Sequence, residues 1–116
     1  MKIDTIEKIE LLKSKFRLEI PSRLEEIEQK FIQGKNLSFN KKEFEEFYRY
    51  IHSLTGAGST FGEKELSQSA LSFENELKIF LDKSKIPNKE DFINFEVYMN
   101  DLKNICTNII NKDTKE

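Results

Sequence analysis

The amino-acid sequence predicts an all-α protein, an antiparallel four-helix bundle with an additional N-terminal helical segment. Two observations predict it. Apolar residues recur at intervals of three and four along nearly the whole chain, the spacing that lines one face of an α-helix. Residues that break helices are scarce, two prolines and four glycines in 116 residues, and no stretch alternates apolar and polar residues long enough to read as a strand. Four amphipathic segments joined by short connections pack most simply as an antiparallel bundle.

The first apolar stripe is Ile9, Leu12, Phe16, Ile20, Leu24, Ile27 and Phe31. Pro21 interrupts it. Proline lacks the N–H that continues the helical ladder and crowds the carbonyl four residues back, so a kink is expected there, or a short break with Ser22 capping the second piece. Gly34 is expected to end the element, with "KNLSF" as connector. Asn40 and Glu43 then stand at capping-box spacing and open a second helix. That helix turns Phe44, Phe47, Ile51, Leu54 and Gly58 to one side and ends near Phe61 and Gly62, a C-cap. A third helix carries Leu66, Ala70, Phe73, Leu77 and Phe80 at four-three spacing. In "IPNKED", Pro87 precedes Asn88 as cap, with Asp91 three residues on, so the chain stops and restarts. The last helix shows Phe92, Phe95, Met99, Leu102, Cys106 and Ile109. These stripes read as core rather than as a cofactor box. Runs such as "EKIE" and "RLEEIEQK" read as solvated faces with i,i+4 pairing.

A chain of 116 residues makes one domain, 1–116, with its core at about 9–110 and a polar tail at 111–116. Hydrophobic residues at 37% beside charged residues at 34% describe a globular protein with a heavily charged surface. A formal charge of −2 is too near zero to draw nucleic acid or an acidic membrane, and a monomer is expected. Cys106 has no second cysteine to pair with, and within "NICTNII" it reads as a small buried hydrophobe in a reducing compartment. No apolar run approaches the ~20 residues that span a bilayer and the N-terminus lacks a signal-peptide pattern, so a cytoplasmic location is expected.

One segment does not serve stability. "YRYIHSLTGAGSTFG", residues 48–62, holds the single histidine and three of the four glycines. At ~100° per residue, the apolar stripe of the second helix points roughly 130° away from His52, so the imidazole is expected to face outward. Its neighbours on that outer face are Glu45, Tyr48, Arg49, Thr55, Gly56 and Ser59. Gly56 costs a helix about 1 kcal/mol relative to alanine. Glycine and serine beside an outward imidazole leave it accessible to something bulky, such as another protein's active site. A neutral imidazole, titrating near about pH 6.5, is a competent nucleophile toward phosphorus. Other chemistries lack their residues. A di-iron bundle needs Glu-x-x-His, but Arg49 stands three before His52; zinc needs several ligands where this chain has one histidine and one cysteine. A Cys–His dyad would take Cys106 out of its stripe, and no glycine-rich phosphate loop joins a strand to a helix.

"HSLTGAGSTFG" followed by "EKELSQSALSFE" resembles the histidine phosphotransfer (HPt) domain of bacterial multistep phosphorelays. His52, Leu54, Gly56, Ala57, Gly58, Gly62, Leu66 and the Phe73–Glu74 pair fall at positions of that family's pattern. "FRLEIPSRLEEIEQKFIQG" is similar to the family's preceding helix, so the resemblance covers roughly residues 10 to 81, with the last helix matched by pattern alone. It implies that His52 accepts a phosphoryl group on Nε2 from a receiver-domain aspartate or a sensor kinase and passes it to another receiver. It implies no cofactor on this chain, the Mg²⁺ and the aspartate belonging to the receiver, and no stand-alone catalysis. Gly56 would leave room for docking, Thr55 and Ser59 would offer hydroxyls to the phosphoryl oxygens, and Tyr48 would join the docking surface. The family's lysine three residues after the histidine is Thr55 here, and the connector before the histidine helix is several residues longer than the family's. Arg49, one turn before His52, is the candidate substitute cation, unless it sits in solvent or pairs with Glu45. The alternative reading is a degenerate bundle of this kind that binds a partner without relaying phosphate.

Overall fold

A computed structural model describes the backbone of residues 2–115 and the side chains of residues 4–112. Within these residues there are four helices and no strand: α1 Lys2–Leu37, α2 Lys41–Thr60, α3 Lys64–Asp82 and α4 Lys89–Lys115. Each helix packs on the next and α1 packs on α4, which closes an up-down-up-down bundle. The expected stripes meet inside it. Phe16, Phe44, Phe47, Phe73 and Phe95 are fully enclosed, with Ile20, Ile27, Ile51, Leu54, Leu66, Leu77 and Leu102 around them. Phe80 is only partly buried at the edge of this core.

Both expected capping boxes form. Asn40 Oδ1 accepts from Glu43 N–H at 2.8 Å, while Asn40 N–H donates to Glu43 Oε1 at 3.0 Å. Asn88 and Asp91 exchange the same pair of bonds at 3.0 and 2.8 Å. Each box satisfies two donors that a helix start leaves open. Past the other end of α2, Gly62 takes φ +77°, a left-handed conformation that glycine adopts without strain, and Phe61 stacks on Phe16 at 5.1 Å.

Three expectations need correction. First, α1 runs unbroken through Pro21, so of the two outcomes open there the short break capped by Ser22 does not form. Pro21 is exposed, whereas Ile20 and Leu24 on either side of it are buried. The packing of that stripe outweighs the roughly 3 kcal/mol that an interior proline costs. Second, Gly34 lies inside the last turns of α1, which continues to Leu37, and the connector shrinks to residues 38–40. Gly34 is there for close approach, because a Cβ at this position would fall within the ring of Phe39. Ser38 takes a left-handed φ of 65° and turns Phe39 back into the bundle, where its ring meets those of Phe44, Phe47 and Phe92.

Third, the core begins at Phe16. Ile9 and Leu12, the first members of the α1 stripe, are 47% and 51% exposed. At 1.5 Å per residue the 36 residues of α1 extend about 54 Å, against about 30 Å for α2, so α1 projects past the α2–α3 turn. The molecule accordingly measures 51 × 28 × 18 Å. At the same end α4 continues to Lys115, so the segment expected as a polar tail is helical through that residue.

Candidate functional site

His52 sits in the middle of α2 with its side chain 65% exposed, while Phe44, Phe47, Ile51, Leu54 and Gly58 of the same helix are buried. The angular offset read from the sequence therefore holds. The imidazole does not simply stand in solvent. Its Nδ1 lies 3.0 Å from Oε1 of Glu74 on α3, a side chain only 10% exposed. That Oε1 is fully buried and meets no donor in ordinary linear hydrogen-bond geometry. A buried carboxylate oxygen needs a donor, and an Nδ1–H of His52 is within reach of it. On one face of the imidazole the Tyr48 ring stacks nearly parallel, 6.0 Å between centroids and 12° between planes. Burial, then the nearby carboxylates of Glu74 and Asp82, push the Tyr48 phenol up from its ordinary range, so it remains protonated.

One turn further along α2, Gly56 is exposed, and a Cβ there would meet nothing within 4 Å. The imidazole thus has a ring on one side, a carboxylate at Nδ1 and bare backbone on the next turn of its own helix. Ser59 is exposed in the last turn of α2, seven residues after His52 and so on the same face. Gly58 has the opposite role to Gly56. Its Cβ position lies 3.1 Å from the backbone nitrogen of Ser67 and 3.3 Å from the carbonyl oxygen of Glu63, which brings α2 and α3 close together beneath the site.

Thr55 is placed differently from expectation, and Arg49 takes a placement that the sequence leaves open. Thr55 does not offer its hydroxyl to the surface beside His52; Oγ1 donates to the carbonyl of Ile51 at 3.1 Å. Arg49 places Nη2 at 4.0 Å from Glu45 Oε2, with its side chain 73% exposed. The sequence also held a residue whose role went unread. Glu74 follows Phe73 and lies four residues after Ala70, at the shoulder of the α3 stripe. An acidic residue within an apolar stripe, brought to a histidine by an antiparallel neighbour, was the signal available. Among the described residues, no group of three or more histidine, cysteine, aspartate or glutamate side chains is placed to hold a metal ion. No helix among them is long and apolar enough to cross a membrane.

The family model described as Hpt domain matches residues 11–111 of this chain. No curated protein and no solved structure matches it.

Proposed function

The chain belongs to the Hpt domain family, whose members take part in two-component phosphorelays, and from that premise we propose that His52 accepts a phosphoryl group and hands it on. The donor is the aspartyl phosphate of a receiver domain or a sensor kinase; the acceptor is a receiver aspartate. The observation that carries the reading is an exposed imidazole whose Nδ1 lies 3.0 Å from the buried carboxylate of Glu74. Which ring nitrogen carries the proton is set by the bond the other end makes. A proton on Nδ1, the nitrogen beside Glu74, leaves the lone pair on Nε2 free to meet phosphorus.

In the forward step that lone pair forms the N–P bond while the P–O bond to the donor aspartate breaks, and the aspartate leaves as a carboxylate with the bonding electrons. The ring gains positive charge as the N–P bond forms. Glu74, beside the Nδ1 proton, stabilises that charge, and a hydrogen bond involving an ionised group contributes about 1.5–3 kcal/mol. Transfer to the next receiver reverses the step. Phosphoryl transfer depends on in-line positioning and on electrostatics more than on covalent machinery. The receiver supplies its aspartate, the Mg²⁺ and most of the electrostatics, and this chain supplies a nucleophile on a rigid helix. It is a carrier in the reaction, not a stand-alone catalyst. Tyr48, Gly56 and Ser59 form the near docking surface, with Arg49 the cation available one turn away.

The test is to mix the chain with a phosphorylated receiver domain and look for acid-labile, base-stable phosphate on it. The reading requires that phosphate, and requires its loss in His52→Gln. A second reading, an interaction module that docks without relay, draws on the threonine where the family carries lysine. It requires a stable complex with the receiver and no phosphate on His52.

A further inference from the structure

We propose that Ser67 is a positioning residue, a hydroxyl that stitches α3 to the α2 backbone one turn from His52 and so fixes the Glu74–His52 contact. The inference rests on the phosphorelay reading of His52. Ser67 Oγ on α3 donates to the carbonyl of Thr55 at 2.9 Å. Thr55 Oγ1 in turn donates to the carbonyl of Ile51 at 3.1 Å. That carbonyl belongs to the peptide whose nitrogen is His52's own. The Thr55 hydroxyl thus stays within α2, and it is the Ser67 hydroxyl that ties α3 to the α2 backbone, at a carbonyl three residues after His52.

The direction of the Ser67 bond is informative. Hydroxyls within helices ordinarily bond back to the carbonyl four residues earlier. Ser72 does so to Gln68 and Thr107 to Lys103. Ser67 instead reaches across to α2, at the point where Gly58 lets the two backbones approach. The crossing and the site share one seam. Thr55 lies one turn after His52 on α2, and Ser67 lies two turns before Glu74 on α3, so the stitch stands about 5–10 Å along the helices from the contact it governs. Helices are stiff over that distance, and a shift of α3 at Ser67 carries Glu74 with it. A lysine at position 55 would extend its charge toward the docked phosphoryl group; a threonine there is short enough to tuck its hydroxyl onto α2's own backbone.

The experiment uses Ser67→Ala, which removes the donor, and Ser67→Thr, which keeps it. The ring nitrogen shifts of His52, followed by NMR through a pH titration, read the Nδ1–H population and the ionisation midpoint without any partner. Phosphate uptake from a phosphorylated receiver is measured alongside. The expected result is that Ser67→Ala folds, lowers the Nδ1–H population, moves the midpoint, and slows uptake by roughly threefold to tenfold, the range set by one lost hydrogen bond. Ser67→Thr, which keeps the donor, should keep wild-type behaviour. Wild-type ring shifts and midpoint in Ser67→Ala overturn the stitch. The two readings separate cleanly. Altered ring shifts in a chain that takes up no phosphate remove the relay and leave the stitch; unaltered shifts in a chain that does take it up remove the stitch alone.

Discussion

His52 Nδ1 and Glu74 Oε1 stand 3.0 Å apart across the α2–α3 seam, one side chain largely in solvent and the other almost wholly buried. The contact joins an accessible imidazole to a carboxylate that solvent hardly reaches. Truncating Glu74 to alanine frees the imidazole to take either tautomer and removes the charge facing its proton. Glu74→Ala is expected to slow phosphate uptake by about tenfold to a hundredfold, the equivalent of a hydrogen bond to an ionised group. Glu74→Gln keeps an acceptor and loses the charge, so its rate should fall between. Uptake rates from a phosphorylated receiver check this; equal rates in all three chains would detach Glu74 from the chemistry.

Gly56 has open space where a Cβ would go, so nothing inside the protein explains the glycine. Gly56→Gln should therefore raise stability by roughly 0.5 kcal/mol through helix propensity and still impair uptake, because the added side chain occupies the face proposed for receiver docking. A melt and an uptake assay on the same sample decide it. Uptake as fast as wild type would mean that the glycine does not serve access.

Gly34 supplies the contrasting case. A methyl group there would enter the ring of Phe39, which is buried against Phe44, Phe47 and Phe92. Gly34→Ala is expected to destabilise the fold by about 1–3 kcal/mol, as overpacking does, with uptake unchanged in the protein that remains folded. Chemical denaturation gives the first number. A variant as stable as wild type would show that Phe39 can leave its seat at no cost.

These two glycines mark what the sequence could disclose. The stripes, both capping boxes and the outward face of His52 follow from periodicity and local chemistry, and each is legible in the sequence. Phe39 is not, because it lies in a connector with no periodicity, and only the left-handed turn at Ser38 brings it inside. Nor is the limit of the core on α1, since the stripe continues through Ile9 and Leu12 but the neighbouring helices do not extend that far. The role of Glu74 depends on which residue of α3 comes opposite His52, a matter of inter-helix register that no single helix contains. Pro21 left two outcomes open, a kink or a break, and the packing on either side decided against the break.

Cys106 gives a prediction about pH. Burial, and next the Glu28 carboxylate, push its thiol from 9.0 up to about 12. The unfolded chain releases this proton at lower pH than the folded chain does. The contribution of Cys106 to stability is therefore whole below about pH 9 and is lost as pH rises toward about 12. Urea midpoints for wild type and Cys106→Ala should differ most near pH 8, where the variant suffers its cavity alone, and should converge by about pH 10.5. A constant difference across that window would show that the thiol does not titrate with unfolding.

Arg49 and Glu45 carry the last prediction. A phosphoryl group adds nearly two negative charges to a helix face that already presents Glu45, with Glu74 at its rim. Arg49 is one turn from His52, yet its guanidinium is directed at Glu45, at 4.0 Å and well exposed. Such a pair contributes about 1 kcal/mol or less, so Arg49 can leave it, but doing so offsets part of what it brings to the phosphoryl group. Arg49→Ala is therefore expected to slow uptake by no more than about threefold, the equivalent of that energy after exchange of partners. Glu45→Gln releases the guanidinium in advance and should speed uptake by a similar factor. The combination separates the two effects. If Glu45→Gln accelerates the wild-type background and not the Arg49→Ala background, Arg49 acts as a cation held in reserve by Glu45. An equal acceleration in both backgrounds would mean that Glu45 acts by its own charge. Wild-type kinetics in Arg49→Ala would place the whole of the neutralisation on the receiver.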